Sequence, residues 1–306
     1  MVVPVLRIGK QSDIRNVATS FNKMPRGETS MNESSESTKK VALGGRGKSI
    51  NVPGSILIDG STEIAIGFKA VRYFAEAFCG KDSVVGNLIK PNLSFKPEYY
   101  TIDLADDNEI LRYMNCVIDT FGFSTSPGNE LTGSVGYISN KITETVYDVS
   151  SDTVLYDGSD SLTYLNTDAT FGGVDLAGMG KSLNFQAQNN IDASKFNVLK
   201  GREYPLIRLG DLGATVTMEV LDFENILRNK YWGGASSTGV NESSLEDLEI
   251  ILTDKVTGDK LKVVGKARIT TLTTSTPVND ITTTSVTFTY ESDENDDLFY
   301  FEYIEA

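Results

Sequence analysis

Four carboxylates crowd one short stretch near the C-terminus: Asp293, Glu294, Asp296 and Asp297 in ESDENDDLF. Groups placed this closely could hold a calcium ion or share a proton for acid–base work. Their spacing departs from the ligand pattern of an EF-hand loop, so the stretch reads as a solvated acidic loop. A second candidate is ALGGRGKS, residues 42–49. A phosphate-binding loop needs Gly five places before its Gly-Lys pair and a helix afterwards. Here that place holds Ala42, and INVPGSILID follows, a strand-like run containing Pro53. The two cysteines, Cys79 and Cys116, sit in the apolar contexts AEAFCG and RYMNCVI and read as buried free thiols. Two cysteines make neither a disulfide framework nor a zinc site. The chain has no histidine, and with it go the commonest general base and transition-metal ligand. The expectation is a protein that is no enzyme and takes no cofactor and no metal.

Charge points the same way. The net charge is -14 over 306 residues. Residues 1–150 carry 16 basic and 17 acidic side chains; the remainder carries 12 and 25. A protein that grips nucleic acid by its phosphates needs the opposite balance. No apolar run reaches the length of a membrane span, and the start lacks a secretory signal, so a soluble, cytoplasmically made protein is expected. A carbohydrate-binding module would display clustered exposed aromatics. The single Trp232, beside Tyr231 at a helix end, reads as core instead.

The elements around these residues are mostly strands. Residues 22–49 are rich in Ser, Glu, Lys and Gly, and read as a long excursion, loose in the free subunit and ordered by a neighbour. After a strand at 54–61, Phe68, Val71, Ala75 and Phe78 form one helical stripe, with Thr62 as a candidate N-cap and Gly80 as a stop. A strand at 99–106 leads to a hairpin turning at Pro127-Gly128. In its second arm Val135 and Tyr137 share one face and Ser134 and Gly136 the other. Residues 148–180 are polar and turn-rich. Then GATVTMEV places Ala214, Val216, Met218 and Val220 on one face and Thr215, Thr217 and Glu219 on the other. A short helix follows, opened by Asp222 and closed by Gly233; a hairpin turns near Gly258, and Val286, Phe288 and Tyr290 line a late strand. This predicts a mainly β protein with a few helices: a first β unit over 1–150, a polar linker over 151–180 and a second β unit over 181–306, each unit with one flanking helix.

Two phrases carry a family likeness. YMNCVIDTFGFSTSPGNELTGSVGYISNK (113–141) and KSLNFQAQNNIDASKFNVLKGREYPLIRLGDLGATVTMEVLDFENILRNKYWGG (181–234) resemble, in order, two recurrent phrases of phage tail tube proteins. They cover about a third of the chain. The resemblance implies β-sandwich or split-barrel units, each with a helix, whose strands join around a lumen and stack as rings. It implies a virion protein assembled in the host cytoplasm, with no membrane partner. Its partners would be further copies of itself in a pseudo-sixfold ring (three chains rather than six), the tail terminator and distal tail proteins, and tape measure protein and DNA transiently in the lumen. The alternative is a distal ring or tube terminator of the same machine. On this reading Ser134, Gly136, Thr215, Thr217 and Glu219 face an acidic and small-polar lumen. Arg26, Glu28, Glu33, Lys39 and Arg46 bridge rings.

Overall fold

The computed structural model describes residues 4–13, 16–41, 49–80, 83–91, 97–105, 110–139, 141–144, 152–156, 162–191, 207, 209–221, 226–232, 244–275, 283–292 and 297–306. The fold is mainly β, 62% strand, with two α-helices among the described residues. In the first half the elements are β1 (Val5–Lys10), β2 (Asn22–Val41), β3 (Ser49–Ala65), α1 (Phe68–Cys79), β4 (Val84–Val85), β5 (Leu88–Ile89), β6 (Tyr100–Ala105), β7 (Ile110–Thr125), β8 (Thr132–Ser139) and β9 (Lys141–Glu144). The strands β1–β2–β3–β8–β7–β6 hydrogen-bond in a closed antiparallel circuit, a six-stranded barrel. Closure removes the edges that an open sheet of this size would expose. Leu6, Ile8, Met24, Ile58, Ile102, Tyr113 and Tyr137 are buried in one core.

The α1 stripe is buried as its spacing predicts, Phe74 and Phe78 lying against Phe121 with ring centroids 6.5 and 6.4 Å apart. Gly80 ends the helix with φ 87, a backbone conformation that costs glycine little. The start differs from the expectation. Thr62 lies within β3, opposite Val135, and its hydroxyl shares a 3.4 Å hydrogen bond with the Tyr137 hydroxyl. The ladder to β8 keeps the backbone extended through Ala65, so α1 begins after Gly67 without a side-chain cap.

The expected loose excursion is also corrected. β2 and β3 form one long antiparallel hairpin, paired from Arg26↔Ile64 out to Val41↔Ser49. Burial of apolar side chains is not what orders this stretch. Here the backbone ladder, anchored in the barrel at its base, orders a stretch rich in Ser and Thr. Residues 42–48, Arg46 among them, lie outside the described residues.

The second half contributes β10 (Thr153–Val154), a 3-10 turn (Tyr164–Asn166), β11 (Thr167–Phe171), β12 (Val174–Asp175), β13 (Gly180–Gln188), β14 (Gly213–Val220), α2 (Ile226–Tyr231), β15 (Glu246–Thr253), β16 (Lys260–Ser275), β17 (Thr283–Glu291) and β18 (Tyr300–Ile304). Asp222 and Gly233, the expected bounds of α2, fall outside the described residues. The ladder runs β11–β15–β16–β17–β14–β13, and β13 pairs with β7 from Leu183↔Thr125 to Gln188↔Thr120. The halves therefore meet strand to strand, and one hydrophobic cluster runs through both. Phe123 and Phe185 stack across this seam at 5.0 Å.

Within the stretch expected as linker, β11 is built into the second sheet and β10 pairs in parallel with β2. An ion network pins its start. The Arg7 guanidinium donates to Asp152 at 2.6 and 2.9 Å and to Asp103 at 2.8 Å. Arg112 donates to Asp103 at 2.7 and 2.8 Å. Arg7, Asp103 and Arg112 lie directly across β1, β6 and β7 from one another. The ring of Phe21 lies 4.4 Å from the Arg7 guanidinium and 5.5 Å from that of Arg112. Two cations and two anions balance, which is what makes their burial tolerable.

Candidate functional site

Eight strands, β2–β3–β8–β7–β13–β14–β17–β16, are hydrogen-bonded in series and antiparallel at every step. Side chains alternate across a pleated sheet, so register alone assigns each residue to a face. On one face lie Phe121, Phe123, Leu183, Phe185, Val216, Met218, Val286 and Phe288, all buried. The other face is polar. One row across it reads Glu63, Ser134, Gly122, Gln186, Thr215, Thr289, Arg268. The next reads Thr132, Ser124, Asn184, Thr217, Thr287, Thr271. A third row holds Ser182, Glu219, Ser285 and Thr273.

Four of the five expected wall residues sit on this polar face. Ser134 is exposed; Thr215, Thr217 and Glu219 are half-buried and alternate with buried Ala214, Val216, Met218 and Val220, as the pattern predicts. Gly136 differs. It is buried, and a Cβ there would collide with the Thr120 hydroxyl. Thr120 lies opposite it in β7 and fills the place that Gly136 was expected to line.

The charges on the face are sparse and unevenly placed. Between their bulges the strands β8, β7, β13 and β14 present Ser, Thr, Asn and Gln, with Glu219 their one carboxylate; β17 adds Glu291, on the same face as Thr287 and Thr289. Asp119 lies in a β7 bulge at one end of this central stripe, and Lys181 in a β13 bulge at the other. The Asp119 carboxylate accepts the Ile191 N–H at 2.9 Å, and burial pushes its carboxyl above the usual carboxylate range. Acids gather at the β2–β3 border, where Glu28, Asp59 and Glu63 are exposed. At the far border Arg268 is bonded to Glu291 at 3.0 Å.

Of the expected ring-bridging residues, Arg26, Glu28, Glu33 and Lys39 lie along strand β2 rather than on a loop. Arg26 donates to the Thr29 hydroxyl at 3.0 Å, and Glu28 and Glu33 are exposed. Trp232, expected in the core, is 38% exposed, and the Arg228 guanidinium lies 4.4 Å from its ring. Asn184, Gln186 and Gln188 also lie on this polar face and were missed, although their alternation with Leu183, Phe185 and Ala187 is legible in LNFQAQ.

Both outer strands carry an open edge. β2 pairs with β1 only as far as Pro25, and residues 27–33 have no second partner strand among the described residues. β16 pairs with β15 only as far as Ala267, so residues 270–275 are paired, among the described residues, on the β17 side alone.

Among the described residues no cluster of three His, Cys, Asp or Glu side chains suits a metal ion. The thiols of Cys79 and Cys116 are pushed up by burial, Cys116 to about 12. A thiol this reluctant to ionise makes a poor nucleophile. What the face offers is hydroxyl and amide groups at regular spacing. No protein-family model matches the chain, and no curated protein does.

Proposed function

We propose that this chain is a wall subunit of a viral tail tube, its polar sheet face lining the channel. The reading rests on one observation above the others: an eight-stranded antiparallel sheet, apolar behind and polar in front, with an open edge at each side. Open edges invite pairing with another chain. With eight alternating strands, β16 of one copy runs antiparallel to β2 of the next, so a ring of copies continues the same ladder. The resemblance of 113–141 and 181–234 to tail tube phrases supports the same reading, and those segments supply β7, β8, β13 and β14 of the wall.

Strand count bears on ring size. Strands spaced about 4.8 Å apart and tilted about 40° make eight of them span an arc of roughly 50 Å. Three chains then close a barrel about 48 Å across the backbone, and side chains leave a bore of roughly 38 Å. Six chains would leave about 85 Å, and two about 22 Å. A duplex roughly 20 Å wide passes with its water through the three-chain ring. On this reading the ring is a trimer of eight-stranded walls, stacked into a tube in the virion, which meets tape measure protein and DNA in its lumen and terminator and distal proteins at its ends.

Negative-stain microscopy and native mass of the purified protein test this. Rings of three chains that stack into tubes are expected. A protein that stays monomeric at high concentration, with no tubes in particles that carry it, overturns the reading. Single rings that never stack favour the alternative, a distal ring or terminator. Thr273→Pro, at the open edge of β16, should impair ring closure while leaving the monomer folded.

A further inference from the structure

We infer that the central stripe of the wall is electrically silent toward a passing duplex, so that nucleic acid moves over it through bound water, neither gripped nor repelled by charge. This rests on the tube reading above and departs from an acidic, repelling wall.

Two kinds of group hold nucleic acid on a protein surface: cations on phosphates and aromatic rings on bases. Across β8, β7, β13, β14 and β17 the polar face has neither, apart from Lys181 in the bulge at its end. The aromatic rings of these strands, Tyr113, Phe121, Phe123, Tyr137, Phe185, Phe288 and Tyr290, are all buried. Repulsion is weak for the same reason. Between the bulges Glu219 is the one carboxylate of β8, β7, β13 and β14, and the Glu291 carboxylate of β17 accepts a 3.0 Å hydrogen bond from Arg268, so three copies would put three Glu219 charges on a circumference of roughly 150 Å. Screening cuts a charge's reach to about 10 Å at 0.1 M salt, so these three act separately. Glu28, Asp59 and Glu63 gather at the β2–β3 border, which leaves each chain an acidic margin beside a sparsely charged field. Hydroxyls and amides hold water by hydrogen bonds, and such water bridges to phosphates exchange without a net charge to overcome.

The test compares wild type, Glu219→Gln and Gln186→Lys/Thr287→Lys, each assembled into tubes. A fluorescent 30-base-pair DNA duplex is added at 50 and 200 mM salt, and retention is read by anisotropy and co-sedimentation. Wild type and Glu219→Gln should retain no duplex at either salt. The lysine variant should retain it at 50 mM. Its affinity should fall about 10- to 40-fold by 200 mM, as two or three phosphate contacts require. Salt-sensitive retention by wild type overturns the inference. So does binding switched on by Glu219→Gln, which would make that carboxylate the repelling group. So does a lysine variant that binds no better than wild type, which would mean that the duplex never meets this face. Where no tube forms, the tube reading fails by itself; the same anisotropy series on the unassembled subunit then tests the face, with the same three outcomes.

Discussion

Replacing Asp103 by Asn should unfasten the barrel from the segment that crosses to the second half. Asp103 is fully buried and accepts three hydrogen bonds, at 2.7, 2.8 and 2.8 Å, from the guanidinium groups of Arg7 and Arg112. Asn keeps the shape, removes the charge and turns an N–H₂ toward two donors. Arg112 is left with no carboxylate among the contacts described, and Arg7 keeps Asp152. Breaking one member of a buried ion network costs about 3–5 kcal/mol, because the remaining charges stay out of water uncompensated. For a chain of this size each kcal/mol lowers Tm by about 2 °C, so a fall of roughly 6–10 °C is expected. Urea unfolding followed by far-ultraviolet circular dichroism, together with a thermal melt, measures both. The variant with all four members made apolar, Arg7→Met/Asp103→Leu/Arg112→Met/Asp152→Leu, should recover most of the loss, since no charge then remains to be solvated. A loss below about 1 kcal/mol for Asp103→Asn, or a fourfold variant worse than the single one, would refute the assignment of the cost to stranded charge.

Gly122→Ala should weaken the seam between the halves: its Cβ would lie 2.7 Å from the Phe185 carbonyl of β13, a backbone atom that cannot swing away. A loss of about 1–3 kcal/mol in urea is expected, whereas Gly128→Ala, in open space with φ 85, should lose only about 1. Asp119→Asn should raise Tm at pH 7. Burial holds the folded Asp119 pKa above its unfolded value, so wild type carries a cost that is absent below the unfolded pKa and grows as pH rises through the folded one. The gain should therefore vanish in melts recorded in acid; a gain that persists there would assign it to something other than the charge. A thiol reagent at pH 8 should label neither Cys79 nor Cys116 until the protein is unfolded, both being buried.

The mainly β class, the α1 stripe, the turns at Gly128 and Gly258 and the alternating faces of β14 and β17 were all legible in the chain, because each is set by residues within a few places of one another. Local patterns of period two and 3.6 record which side of a strand or helix meets water, whatever it packs against. The polar face of β14, Thr215, Thr217 and Glu219, was readable for that reason. Gly136 was not, since what covers it, Thr120, arrives from another strand. The order of residues 27–41 was likewise hidden: a Ser-rich stretch and a strand differ there only in whether a partner strand lies alongside. Arg7, Asp103, Arg112 and Asp152 carry no local sign of their association, being separated by up to 145 residues. The sequence by itself determined which residues turn toward water and which toward a core. Only the tertiary structure decided that one sheet runs across both halves through β7 and β13, that Glu28, Asp59 and Glu63 meet at one border of it, and that residues 27–33 and 270–275 have no second partner strand among the described residues. Those are consequences of register between distant strands, and register is set by backbone hydrogen bonds that every residue but proline can make alike.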